Sequence, residues 1–209
     1  RDFTPKESYY VFQSYWTTEP MVHIYGHSWP VRWGNKGDRK EILVYSNCEA
    51  VELFVNGVSQ GIKKRDSQDY PAAGLRWNCV YEEGKNEIRA VAVKGKIKVT
   101  DEIVQEYQTA KWGKEAVATL SVVSREGDTV LLEVQLLDKE GVRCLDSKKY
   151  IEFEIAGDGS LIQNQGTSTG SRKVQAYNGR ACIKVNLNKG KSMVAVKAEG
   201  IPTAFMELM

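Results

Sequence analysis

The 209-residue sequence is short of most things that would announce a chemistry. Histidine occurs twice, and the four cysteines (Cys48, Cys79, Cys144, Cys182) form no CxxC pair, so a zinc site finds too few ligands at usable spacing. No Walker loop, GxGxxG, GxSxG or EF-hand pattern occurs. Charge of one sign is also lacking. Twenty-nine basic residues face 27 acidic ones for a net +2, which gives no field to select a polyanion and speaks against nucleic acid as a partner. No apolar run approaches the roughly 20 residues a membrane span needs. There is no initiator Met and no signal-like start, so the chain is expected to begin inside a longer polypeptide.

What is present is ordinary in bulk: 42% hydrophobic residues and a mean hydropathy of -0.42, with length for two domains of about 100 residues each. The first element reads as a helix over Pro5 to Trp16. Thr4 is a suitable N-cap, Pro5 fits the first helical position, Glu7 completes a capping box, and Pro20 closes the segment. Tyr9, Tyr10, Phe12, Tyr15 and Trp16 surround its axis. A helix apolar on most sides is normally buried on most sides, and the rest of the chain is not helical, so its packing partner is expected upstream.

From Met21 the apolar period becomes two. Glu41 to Tyr45, Val51 to Val55, Glu87 to Val93 and Ile97 to Val104 read as strands. Asn56-Gly57 predicts a hairpin, because a type I′ turn needs positive φ at both central positions. Lys94-Gly95-Lys96 reads as a second tight connection. Gln108 to Lys114 is polar and irregular, a linker. A second strand-rich block follows, with runs over 118–122, 130–136, 151–155, 181–187, 192–198 and 203–208, a turn at Asp138 to Gly141, and a long loop from Gly157 to Arg172. Short strands without interleaved helices predict an all-β fold of two antiparallel sandwiches, residues 21–108 and 114–209, behind an N-terminal helix within 1–20.

Candidate chemistry is sparse. Glu87 after Asn86 resembles an acid/base carboxylate dipeptide, but glycoside hydrolysis needs two carboxylates roughly 5 to 10 Å apart in a cleft. Glu87 opens an amphipathic strand and should face solvent. His23 and His27 are four apart in a strand-like context, and a hydrogen-bonded structural role is expected of them rather than a metal site. Lys94, Lys96 and Lys98, like Lys63-Lys64-Arg65, read as solvated faces that discourage edge pairing. The cysteines read as buried or half-buried thiols. No cofactor and no catalytic residue is expected. Trp29 and Trp33, in the loop His27 to Gly34, are the candidate substrate-binding residues, since exposed indole rings stack on sugar faces; packing against an upstream domain is the competing role.

Pro5 to Tyr10, Phe12-Gln13-Ser14, Trp16, His23-Ile24 and His27-Ser28-Trp29-Pro30 together resemble the end of the catalytic barrel, and the loop after it, in family 2 glycoside hydrolases of the β-galactosidase type. The family's His-Trp-x-Trp-Pro loop is varied here at Ser28. Val44 to Gly57, Leu75-Arg76-Trp77, Tyr81-Glu82 with Gly84, and Ile88 to Ala92 are similar to the immunoglobulin-like domain that follows that barrel. Val142 to Asp146, Phe153 to Gly159 and Ala176 to Ala181 are similar, more loosely, to the family's C-terminal sandwich. The resemblance implies that the helix is the last of an (α/β)8 barrel and that the acid/base and nucleophile glutamates lie upstream of Arg1. The expected role is then a non-catalytic accessory region of a retaining, β-galactosidase-like exo-glycosidase. Its partners would be the upstream barrel, carbohydrate, and oligomer contacts made through the parent enzyme, in a bacterial periplasmic or extracellular protein. A carbohydrate-binding or cell-surface immunoglobulin-like module is the alternative.

Overall fold

The computed structural model describes residues 5–65, 74–163 and 170–209. The chain divides into two compact units, Pro5–Thr109 and Ala110–Met209, each an immunoglobulin-like β-sandwich.

In the first unit, helix α1 (Glu7–Trp16) precedes β1 (Val22–Ile24), β2 (Val31–Trp33), β3 (Arg39–Ser46), β4 (Ala50–Val55), β5 (Val58–Lys64), β6 (Gly74–Val80), β7 (Gly84–Lys94) and β8 (Ile97–Gln108). One sheet has the order β1-β3-β6 and the other β2-β8-β7-β4-β5, all antiparallel except β2 beside β8. Alternation supplies the core: Ile42 and Val44 of β3 with Leu75, Trp77 and Cys79 of β6 face Val51, Leu53 and Val55 of β4, Ile88, Ala90 and Ala92 of β7, and Tyr107 of β8. The Asn56-Gly57 hairpin forms as expected, with φ of 50° and 79° and Val55 paired to Val58.

Three expectations are corrected. The helix begins at Glu7, not Pro5, with Lys6 at the N-cap and no side-chain cap; Thr4 lies outside the described residues. Glu7 does not fold back as a capping box, because its carboxylate is taken by His23 and by the backbone N–H of Gly26. Trp33 is not in a loop: it ends β2, paired with Gln108 of β8.

The second unit comprises β9 (Val117–Glu126), β10 (Thr129–Leu137), β11 (Tyr150–Gly157), β12 (Ser160–Ile162), β13 (Lys173–Gln175), β14 (Arg180–Asn186), β15 (Ser192–Ala198) and β16 (Ile201–Leu208). Sheets β12-β14-β10-β9 and β13-β11-β15-β16 enclose Leu132, Val134, Leu136, Ile151, Phe153, Ile183, Val194 and Val196. The expected loop from Gly157 to Arg172 is interrupted by β12, which adds to the edge of β14; residues 164–169 of it lie outside the described residues. Asn178-Gly179 makes a turn that was not anticipated, with φ of 53° and 66°. On the outer face Glu133 is buried between Arg180 and Arg143, at 2.6 and 3.2 Å. Burial alone would raise its carboxyl pKa, but hydrogen bonds from Arg180 and Gln135 and the two guanidinium charges outweigh it and hold the group below its ordinary value.

The four cysteines are free thiols, three buried and Cys182 half-buried. Burial pushes Cys144 up to about 11, with nearby carboxylates adding to the effect.

The Asn86-Glu87 pair resolves into structure. Glu87 is exposed, while Asn86 is fully buried and staples the β6–β7 turn. Its carbonyl accepts from Glu82 N–H and its amide donates to the carbonyls of Glu82 and Gly84; Asn56 donates to it across the sheet. Asn86→Ala would leave those partly buried backbone groups unpaired. It should lower unfolding free energy by roughly 2 to 4 kcal/mol in urea denaturation, against about zero for Glu87→Ala.

Candidate functional site

The candidate site of the first unit lies where α1 meets β1 and the following turn. Residues 7, 10, 11 and 14 share the inner helix face by their spacing. Glu7 and Tyr10 reach His23 of β1, and Ser14 is buried, its hydroxyl donating to Val11 O. Tyr9, Phe12 and Trp16 line the opposite face and are 50, 53 and 79% exposed; Phe12 and Trp16 stack on each other. The helix thus packs by one side only. The chain leaving it is laced to the same sandwich by Asn47, whose amide donates to Thr17 O and Glu19 O while its carbonyl accepts from Met21 N–H.

His23 is buried. Its Nε2–H donates to Glu7 Oε2 at 2.8 Å, its ring lies flat under Tyr10 at 3.5 Å between centroids, and its other face stacks on His27 at 4.6 Å. Asp101 of β8 closes the group. Its Oδ2 accepts from Ile24 N–H at 2.6 Å and lies 2.8 Å from His27 Nε2. Removal from water lowers the His23 pKa, against the hydrogen bond and charge of Glu7, which raise it.

His23, His27 and Asp101 each offer a ligand atom within 4.8 Å of the others. The two imidazoles, however, lie face to face with planes only 12° apart. Nitrogen lone pairs lie in the ring plane, so those of stacked rings run side by side instead of converging on one ion. Each carboxylate already accepts backbone and imidazole N–H groups. The arrangement is suited to hydrogen bonding, and a metal ion would require His27 to leave the stack.

The turn after β1 positions the aromatic candidates. Gly26 sits at φ 111°, and a Cβ there would meet Gln105 Nε2 at 3.1 Å. Gln105 is itself buried; it accepts from Tyr81 O–H and donates to Trp29 O, fixing the turn to β8. Trp29 is half-buried and packs edge-on against Tyr25 at 4.9 Å. Trp33, at the end of β2, is 36% exposed. The two indoles are thus held on separate elements, one in a packed aromatic cluster and one at a surface. The histidine spacing was visible in the sequence, but Asp101 and Gln105 lie more than 70 residues away along an unremarkable strand, and only the packing of β8 in one sheet against β1 in the other brings them in.

Residues 117–207 match the family described as glycoside hydrolase family 2 C-terminal domain 5, and residues 37–100 match a domain of unknown function, DUF4982. The chain belongs with the C-terminal domains of family 2 glycoside hydrolases. Among solved structures it is similar to the beta-glucuronidase of Parabacteroides merdae, at 75% identity and a TM-score of 0.92 over 99% of this chain and 26% of that one. It is also similar to beta-glucuronidase 3 of Bacteroides uniformis, at 55% and 0.91 over 98% and 27%. A putative beta-glucuronidase of Formosa agariphila is 42% identical over 92% of this chain and 23% of that protein. A beta-galactosidase of Bacteroides ovatus is 28% identical over 98% and 24%. The chain spans about a quarter of the length of these relatives. Among its described residues no helix is long and apolar enough to cross a membrane.

The His23 cluster gives the first unit a pH response of known sign. The His23 pKa is lower in the folded protein than the ordinary 6.5, so the unfolded chain takes up a proton first as pH falls. The stability this residue contributes is complete above about pH 6.5 and is lost below it, toward the folded pKa. Urea denaturation at pH 7.5 and 5.5 should show a loss of stability in the native protein that is smaller in His23→Gln; an equal loss in both would show that His23 does not drive it.

Proposed function

We propose that this chain is the non-catalytic accessory region of a secreted bacterial family 2 hydrolase that removes terminal β-linked glucuronate, and that it braces the catalytic barrel through the outer face of α1. The carrying observation is the half-packed helix: Glu7 and Tyr10 hold it to the sandwich and Ser14 is buried, while Tyr9, Phe12 and Trp16 stand in solvent. An apolar stripe of this size on a helix of nearly three turns is what an absent packing partner leaves behind. The residues doing chemistry would lie on the barrel, where two glutamates act through a glycosyl-enzyme intermediate.

Glucuronide is favoured over the galactoside expected from the sequence. The two similar structures at 75 and 55% identity are both named beta-glucuronidase, whereas the relative named beta-galactosidase is 28% identical. Trp33, exposed at the end of β2, and Trp29, beside Tyr25, are proposed to face sugar at the mouth of the assembled site. Contacts between copies of the parent enzyme are the remaining proposed role.

The polypeptide that includes the barrel should release p-nitrophenol from p-nitrophenyl β-D-glucuronide at least about 100-fold faster than from the galactoside, a difference of roughly 2.7 kcal/mol in transition-state binding. The 209-residue chain alone should hydrolyse neither. Turnover by the chain itself, abolished by one glutamate substitution within it, would overturn the proposal.

A further inference from the structure

The second unit carries a groove that none of the roles above uses. It has a volume of about 680 Å³ and runs along the start of β11, with walls from Lys148, Lys149 and Tyr150, from Glu152 and Lys173 across the β11–β13 pair, and from Lys197 of β15. The strand pleat explains the wall. Ile151 and Phe153 point into the core, so Tyr150 and Glu152 stand on the outer face, and Tyr150 is 58% exposed. An aromatic ring so exposed at a concave surface offers a flat apolar face for stacking.

The lysines divide into two kinds. Lys197 pairs with Glu154 at 2.7 Å, and Lys173 stands 4.0 Å from Glu152. The Lys149 ammonium donates to Glu199 O at 2.8 Å, and among the described residues neither it nor Lys148 has a carboxylate at ion-pair distance. Glu115, which also lines the groove, accepts from Ser147, and the charge of Lys149 acts on it from beyond ion-pair distance. Two lysines outside any ion pair therefore line the groove with one exposed ring, in a wall whose four lysines exceed its three glutamates by one charge.

We propose that this groove is a binding site for an acidic sugar, with the C–H face of a uronate pyranose on the Tyr150 ring and its carboxylate on Lys148 and Lys149. The ring supplies apolar contact and orientation, and the ammonium groups select for a carboxylate at the sugar's edge. A neutral pyranose would keep the stacking and lose the charge-assisted hydrogen bonds. The choice of a uronate rests on the glucuronide reading above. A second acidic-sugar site, carried by the second unit, would hold a glycan near the enzyme between cleavages.

Isothermal titration of the 209-residue chain with a tetrasaccharide of alternating glucuronate and N-acetylhexosamine tests this directly. Saturable binding is expected, weakened at least tenfold by Tyr150→Ala and by the pair Lys148→Ala with Lys149→Ala, and retained by Tyr150→Phe. The same tetrasaccharide with its carboxyls reduced to alcohols should bind at least tenfold more weakly. Unchanged thermal midpoints in the variants assign the losses to the groove. Absence of binding, equal binding of the reduced tetrasaccharide, or indifference to Tyr150→Ala would each overturn the site. If the polypeptide with the barrel hydrolyses glucuronide and the groove does not bind, the groove alone fails. If the groove binds and no glucuronide is hydrolysed, the reading of the parent activity fails.

Discussion

Everything particular about the first unit depends on the burial of one imidazole. His23 sits between Tyr10 above it and His27 below it, donates to Glu7, and lies beside the Asp101 carboxylate that also holds Ile24 N–H. These contacts join α1, β1, the following turn and β8. A buried polar group is tolerated only when its hydrogen bonds are made, so the geometry of all four elements is set by satisfying this one ring. The helix is held to the sandwich by polar and stacking contacts on its inner side. Its aromatic outer side is thereby left free for another surface.

The second unit meets the same constraint with charge. Glu133 is buried on the outer face of its sheet only because Arg143 and Arg180 reach it and Gln135 donates to it. Such a group specifies one arrangement of neighbours more than it adds stability, since taking its charges out of water costs about as much as their attraction returns. In both units the polar clusters lie outside the main apolar core, on the faces and ends where a sandwich meets its surroundings. The two cores themselves are simple consequences of alternation along the strands.

Much of this was legible in the sequence for definite reasons. Period-two patterning over 51–55 and 87–93 marked β4 and β7, and Asn56-Gly57 marked the hairpin, because those signals arise from the same local sterics that build the structure. The helix's C-terminal end at Trp16 was also plain from the chain. Its start was not. Glu7 had two eligible uses, as a local capping box and as a partner for a distant histidine, and only the tertiary structure decides between them. Trp33 failed for a related reason: three residues of parallel strand beside β8 carry no local signature. The site residues Asp101 and Gln105 were invisible because long-range pairing alone gives them a role.

The central claim is that the aromatic face of α1 is built to be covered by a catalytic barrel. Amide hydrogen exchange across residues 7–16 measures this most directly, compared between the 209-residue chain and the polypeptide that carries the barrel. Covering the stripe of Tyr9, Phe12 and Trp16 should slow exchange throughout the helix by at least about tenfold, while β7 and β8 in the core remain unchanged. Equal exchange of the helix in both forms would contradict the account.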